Sequence, residues 1–436
     1  MLNLTDVRGW RSRLALLLVV ALSFWLAPAP RGVPDQDYWG EYVQVAPGLG
    51  FVLNHDSQGY IDVARHPGQL LKEHETRQSR PLYALLGAAV GWPLAAALRL
   101  AHKWGLTPAA WPEFGDEANF WGYYWGYVLL NALALLGSLL LLRHLVATAS
   151  GGRAPGWLHS SLALVLVANP ITKAFFWTAH QQLFAFLVPL FCLALGLALR
   201  RRVPLGWPAL VALSFGLGLL PLAYGSFVLA GAALAFGLWR AGVGSGAGRW
   251  ARATGQLAVG AALFALPTLL WIGLLRLRGV TYYNHETVRY HQLVWLPEAL
   301  KQLPPGQVLA LVGTKLGEYV GSLQLVGYWL LLALGLLLAT WWRRRRAHAE
   351  PGAPLTPPLL PTGPARALAW TLGCFTAFFA LLGYYPERLA YTLLPLLLVL
   401  LAGLLPHWPA RYARPLVLAG AAGWYGYVLL SYGPFS

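Results

Sequence analysis

Residues 128–146 read VLLNALALLGSLLLLRHLV, and residues 183–202 read LFAFLVPLFCLALGLALRRR. Each is an apolar run near the roughly 20 residues that an α-helix needs to cross the hydrocarbon core of a bilayer. Each also meets arginine at or near its end. Working outward, runs of this kind recur at 13–28, 82–101, 123–146, 157–172, 178–199, 205–221, 223–239, 255–275, 319–342, 367–385, 389–405 and 414–432. Of the 436 residues, 57% are hydrophobic and only 11% charged, with a mean hydropathy of +0.53. A soluble domain carries about 25% charged residues, so this chain cannot clothe a water-facing surface of its size. The sequence predicts an all-α fold: a polytopic transmembrane helical bundle of about 11–12 membrane segments. It forms one domain over 1–436, with helices in its extracytoplasmic loops.

The net charge of +16 would suit nucleic acid if the cations formed a patch interleaved with aromatics. They sit instead in short loops: Arg200 to Arg202, Arg240, Arg249 and Arg252, Arg343 to Arg346, Arg411 and Arg414. That is the pattern of cytoplasmic loops in a multi-pass membrane protein, and nucleic acid is not an expected partner. It predicts a multi-pass protein of the cell (inner) membrane with a cytoplasmic N-terminus. Arg8, Arg11 and Arg13 precede the first run, which reads as a signal-anchor. Cys192 and Cys374 lie inside apolar runs and read as small buried hydrophobes.

With the arginine loops inside, one run breaks the alternation. Residues 82–101 contain Gly91 and Pro93 and end in Arg99, His102 and Lys103. This segment is expected to be a re-entrant or interfacial hairpin within a long extracytoplasmic loop at about 29–122, the alternative being that 13–28 or another weak run does not span; a second long loop covers about 276–318. On this topology only Asp6 and Glu350 of the sixteen acids face the cytoplasm. Long loops tend to carry function. The stretches 351–364 and 242–248 read as flexible linkers.

The first loop contains NHDSQGYIDVARHP, Asn54 to Pro67. Tyr60, Ile61 and Ala64 give it an apolar face at helical spacing, with Ser57 as a candidate cap and Asp56 at the N-terminal end. Asp56 either faces substrate at the membrane edge or caps the helix, where the dipole favours it. Arg77 and Arg80, in RQSRPLY, either bind a phosphate or anchor the interface beside Tyr83. Lys173, His180 and Gln181 occupy an outer turn. There the histidine either contacts substrate or moves a proton, or is merely a polar residue at a helix end. A second turn, GYYPERLAY, gathers Tyr384, Tyr385, Glu387 and Arg388; an arginine at that depth marks a functional site by default. In TYYNHETVRYH, His285, Glu286 and His291 suggest a metal, but the spacing is not that of a zinc helix. Aromatic residues beside polar ones there suit sugar or lipid headgroups. Nucleotide-binding loops and nucleophile elbows are absent from the sequence.

The layout resembles the GT-C superfamily of polyprenol-phosphate-dependent membrane glycosyltransferases. The likeness rests on a short N-terminus and first span leading to DSQGYIDVA, on RPLY at Arg80 to Tyr83, on the pair His180 and Gln181, and on ERLAYTLLP at Glu387 to Pro395. The resemblance implies transfer of a sugar from a lipid-linked donor to an envelope glycan, lipid or protein acceptor on the extracytoplasmic face, among membrane lipids. Asp56 matches the acidic position that serves as base or positions the acceptor, with Asp62 as a second candidate in the substrate site. Arg77, Arg80 and Arg388 match cations that meet the lipid phosphate, and His180, Gln181, Tyr385 and Glu387 would complete the site. The chain departs from the pattern in lacking a paired acid at Asp56 and a large C-terminal soluble domain. No cofactor is assigned; a site sharing Asp56 with a second loop acid would take a divalent cation. A glycan polymerase or ligase would use the same arginines with less need of Asp56. A transporter or flippase is expected to show repeats and midplane charges, and neither is evident.

Overall fold

The protein is described by a computed structural model covering residues 7–28, 41–46, 49–105, 117–201, 205–242, 247–348 and 359–431. In chain order, α1 (Val7–Ser23) leads into a small antiparallel sheet of β1 (Ala27–Pro28), β2 (Glu41–Ala46) and β3 (Leu49–Leu53), ordered β1-β3-β2. Then come α2 (Asp56–Arg65), α3 (Pro81–Lys103), α4 (Glu117–Ala149), α5 (Gly156–Val167), α6 (Pro170–Phe175), α7 (Phe184–Arg201), α8 (Trp207–Leu219), α9 (Leu229–Gly242) and α10 (Ala247–Leu277). The second long loop folds as α11 (His285–Tyr290), α12 (Trp295–Gln302) and α13 (Pro305–Ser322). The chain closes with α14 (Gln324–His348), α15 (Thr362–Leu381), α16 (Glu387–Ala390), α17 (Leu394–Leu404) and α18 (Ala410–Leu430). The helical expectation holds, and the sheet is an addition to it. Most of each linker stretch, at 351–364 and 242–248, lies outside the described residues.

Seven helices are long and apolar enough to cross a membrane, α3 among them, and three more apolar helices are shorter. Side-chain contacts mark the two ends of the bundle. At one end Trp177 Nε1 donates to Ala21 O, and Lys173 Nζ donates to Val428 O (2.8 Å) and Leu429 O (3.2 Å). At the other end Arg153 approaches His407 (3.4 Å), His407 bonds Leu359 O, and the Arg343 guanidinium lies over Trp408. Besides α3, the helices of that length are α4, α7, α10, α14, α15 and the run through α16 and α17, and the shorter apolar ones are α5, α8 and α9, among the described residues. α17 sits at the centre, with 83% of its apolar window buried, whereas α10 on the periphery has 11%.

α3 packs chiefly on α4 and α2. It is one continuous helix of 23 residues, so the expected interruption at Gly91 and Pro93 does not occur. The glycines serve contact instead. A Cβ at Gly87 would meet the Tyr127 ring at 2.1 Å, and one at Gly91 would meet Tyr123 at 2.4 Å. Small residues let two helix backbones approach closely, and here they pack α3 antiparallel on the first third of α4. Asn131 marks where α4 enters the bundle: its amide donates to the carbonyls of Phe175, Phe176 and Thr178. Beyond it, Gly137 faces Leu187 of α7. α3 therefore lies beside the outer third of α4, with Leu85, Trp92 and Leu100 exposed.

Candidate functional site

At the end of the bundle away from the arginine loops, both long loops fold over a cavity of about 410 Å³. That volume lies in the range of small-molecule sites.

α2 brings Asp56 to it. Asn54 Oδ1 accepts the Asp56 N–H (2.9 Å), and Ser57 Oγ accepts the N–H of Ala179 (3.1 Å). Ser57 thus ties α2 to the turn before α7 and does not cap its own helix, as the sequence had suggested. Asp56 is not a cap either: its carboxylate is held by side chains. Arg77 Nη2 donates to Oδ1 at 2.9 Å, and His180 Nε2 stands 3.5 Å from Oδ2. His180 Nδ1 accepts the Gln182 N–H (3.1 Å). A nitrogen that accepts carries no proton, so in the neutral ring the proton sits on Nε2, facing Asp56.

The electrostatics follow from this geometry. The His180 hydrogen bond, with the Arg77 charge, holds the Asp56 carboxyl far below the usual range, although burial opposes it. Burial pulls His180 down to about 4 against the pull of Asp56. At neutral pH the pair is therefore a carboxylate and a neutral imidazole. Arg77 stays charged: burial works against it, but nearby Asp56 prevails.

Arg77 lies 4.1 Å above the Tyr60 ring. Gly59 makes room for it, since a Cβ there would fall 2.9 Å from Nη2. Arg80 pairs with Glu286 and donates to Tyr60 Oη (3.3 Å). Gln78 and Glu73 complete the lock between the loops: Gln78 Oε1 accepts the Tyr283 N–H (2.8 Å), and Glu73 Oε1 accepts the Thr281 N–H (2.9 Å).

The opposite wall comes from the turn before α17. Arg388 lines the cavity, its guanidinium 5.9 Å from the Phe175 ring centroid. Tyr384 stacks on Tyr290 with centroids 4.2 Å apart and planes 11° off parallel. Gly383 has φ +80°, and the turn is pinned by Trp295 Nε1 to Leu381 O (2.9 Å). Gln181 and Gln182 are both buried at the cavity edge. Gln181 Oε1 and Gln182 Nε2 have no hydrogen-bond partner among the described residues.

Asp56, Arg77, Arg80, His180, Gln181 and Arg388 thus come together as the sequence suggested. Two candidates do not. Asp62 is half-buried on another face of α2, away from the cavity. Tyr385 turns inward, its hydroxyl donating to Ala380 O (2.6 Å) and its ring against Tyr319. The Glu387 side chain lies outside the described residues. Lys173 serves the end of α18 and not the cavity. His291 pairs with Glu298 (3.1 Å), and no group of three or more metal-ligating side chains forms among the described residues. Glu286, Tyr290, Tyr384 and Gln182 are among the lining residues that the sequence had not assigned to this site.

No family model, curated protein or solved structure matches this chain. The site's chemistry therefore stands on its own geometry. Three arginines against two carboxylates leave one positive charge among the described lining residues, which favours an anionic ligand beside an ionised base.

Proposed function

We propose that this protein is a membrane glycosyltransferase of the GT-C kind, taking sugar from a polyprenyl-phosphate-linked donor. The observation that carries the reading is Asp56: an ionised carboxylate, held between Arg77 and His180 yet 47% exposed toward a cavity that Arg388 also lines. The donor lipid stays in the bilayer, and its phosphate meets Arg388. The acceptor hydroxyl oxygen forms a bond to the anomeric carbon as the bond from that carbon to the phosphate oxygen breaks. The phosphate leaves with the electron pair, its charge offset by the arginine. The acceptor proton passes to Asp56. A carboxylate of such low basicity takes the proton late, when the hydroxyl has become acidic through bond formation. The Tyr290–Tyr384 stack offers an aromatic edge to a sugar ring. Gln181 and Gln182 offer one acceptor and one donor to its hydroxyls.

The test is a mass-spectrometric comparison of envelope glycans and lipids in the host of origin. The strains are wild type, a deletion, and the deletion carrying wild type or Asp56→Asn at matched membrane abundance. Loss of one sugar unit in the deletion, restored by wild type and not by Asp56→Asn, is the expected outcome. Full restoration by Asp56→Asn would sink the assignment.

A further inference from the structure

The arginine-rich end of the bundle contains a second groove, of about 440 Å³, between α1, α5 and α18. Its lining changes character along its length. Toward the bundle end lie Ser12, Arg13, His159, Ser160 and Ser161; toward the middle lie Leu16, Leu164, Leu418 and Ala422. A polar, cationic mouth followed by an apolar slot is the complement of an amphiphile with an anionic head.

Two buried groups lack partners here. Ser161 is only 3% exposed, and its Oγ has no hydrogen-bond partner among the described residues; the same holds for His159 Nδ1. An unfilled polar group in an apolar setting is costly and calls for an explanation. The surrounding charge is of one sign. Arg13 and Arg143, from α1 and α4, both act on His159. Every acidic side chain among the described residues belongs to the long loops or to α2 and α13, at the cavity end. Basic pockets between membrane helices on an arginine-rich face bind anionic lipid heads.

We infer that this groove holds one anionic phospholipid, its phosphate between Arg13 and the hydroxyls of Ser160 and Ser161. One acyl chain runs along Leu16, Leu164 and Leu418 toward the middle of the bundle. The site lies at the opposite end from the cavity and stands whatever reaction the cavity performs.

The test uses the purified full chain, delipidated in detergent and examined by native mass spectrometry. Dioleoyl phosphatidylglycerol and dioleoyl phosphatidylcholine are supplied in equal amounts, with inorganic phosphate in a separate arm. Wild type is expected to retain one phosphatidylglycerol under conditions that strip phosphatidylcholine. Arg13→Gln should weaken that binding about tenfold, the worth of one charge-assisted contact. Ala422→Trp, at an exposed position, fills the slot without touching a charge and should weaken it as much. It also keeps the test intact if Arg13→Gln folds poorly. Equal retention of the two lipids by wild type, or wild-type retention in Ala422→Trp, overturns the inference. Displacement of the lipid by millimolar phosphate overturns it as well, in favour of a free-anion site.

Discussion

His180 and Asp56 meet with His180 Nε2 3.5 Å from Oδ2, while His180 Nδ1 accepts the Gln182 N–H and so fixes which nitrogen carries the proton. The histidine is buried, and its folded-state value of about 4 lies below the value near 6.5 of an unfolded chain. The unfolded state thus binds more protons between these values. Stability from His180 is fully present above about pH 6.5 and is lost as pH falls toward 4, amounting to about 3 kcal/mol. Thermal unfolding in detergent at pH 7 and pH 4.5 measures it. His180→Gln keeps a donor toward Asp56 and removes the titration, so its midpoint should fall much less across this window. An identical fall in both proteins would assign the pH dependence elsewhere. Asp56 acts in a lower window: its depressed value means its contribution holds above about pH 4 and declines only below.

Asp56→Asn keeps the shape of the side chain and an oxygen for Arg77. It removes the proton acceptor and leaves the Arg77 charge without its carboxylate. Transfer should fall by roughly 10²- to 10⁴-fold, the scale of general base catalysis, with the protein still folded. Initial rates on membranes of matched abundance read this. A fall of less than about threefold would mean that the carboxylate only positions Arg77, an effect closer to one hydrogen bond than to proton transfer.

Gly59→Ala addresses Arg77 without deleting it. The added methyl would fall 2.9 Å from Nη2, the movable end of a long side chain, so the helix survives and the guanidinium shifts off Asp56. Helix propensity even favours alanine by about 1 kcal/mol. The expected result is an unchanged or raised unfolding midpoint with transfer down about tenfold, equivalent to one lost ionic hydrogen bond. Unchanged transfer would show that the Asp56–Arg77 contact is dispensable.

Arg80 and Glu286, 206 residues apart, pair across the two loops. Removing one partner of a largely buried ion pair strands the other, at about 3 kcal/mol. Arg80→Ala and Glu286→Ala should each destabilise by that order, and the double variant by clearly less than their sum. A double-mutant cycle on unfolding midpoints gives the coupling. Strict additivity would mean that the pair contributes nothing to joining the loops.

The sequence revealed those parts of the molecule whose causes are local. Apolar run length was enough for the helical bundle, whereas the segment expected to be re-entrant forms one continuous helix long enough to cross a membrane. Asp56, Arg77, His180 and Arg388 were legible because each is a charged or polar residue at the edge of an apolar run. What depends on distant partners was not legible. Glu286 suggested a metal because its neighbours His285 and His291 are visible in sequence and Arg80 is not. Gly91 suggested a break because glycine weakens an isolated helix, whereas here its missing side chain admits Tyr123. Gln182 gave no signal: its backbone sets the His180 tautomer, and only the fold reveals that.

Tyr384 and Tyr385 are adjacent, and the sequence favoured the wrong one for the site. The turn after Gly383, with φ +80°, sends Tyr384 onto Tyr290 over the cavity and Tyr385 back to Ala380 O. Their substitutions should therefore separate. Tyr384→Ala removes the aromatic face and its stack on Tyr290, worth about 1 kcal/mol beyond area, and should raise the KM for a sugar-bearing substrate about fivefold while also lowering the midpoint modestly. Tyr385→Phe removes one half-buried hydrogen bond, costing about 1 kcal/mol of stability or less, and should leave KM alone. Kinetics and unfolding on the same two preparations decide it. A KM effect for Tyr385→Phe with none for Tyr384→Ala would mean that the turn faces the other way when substrate is bound.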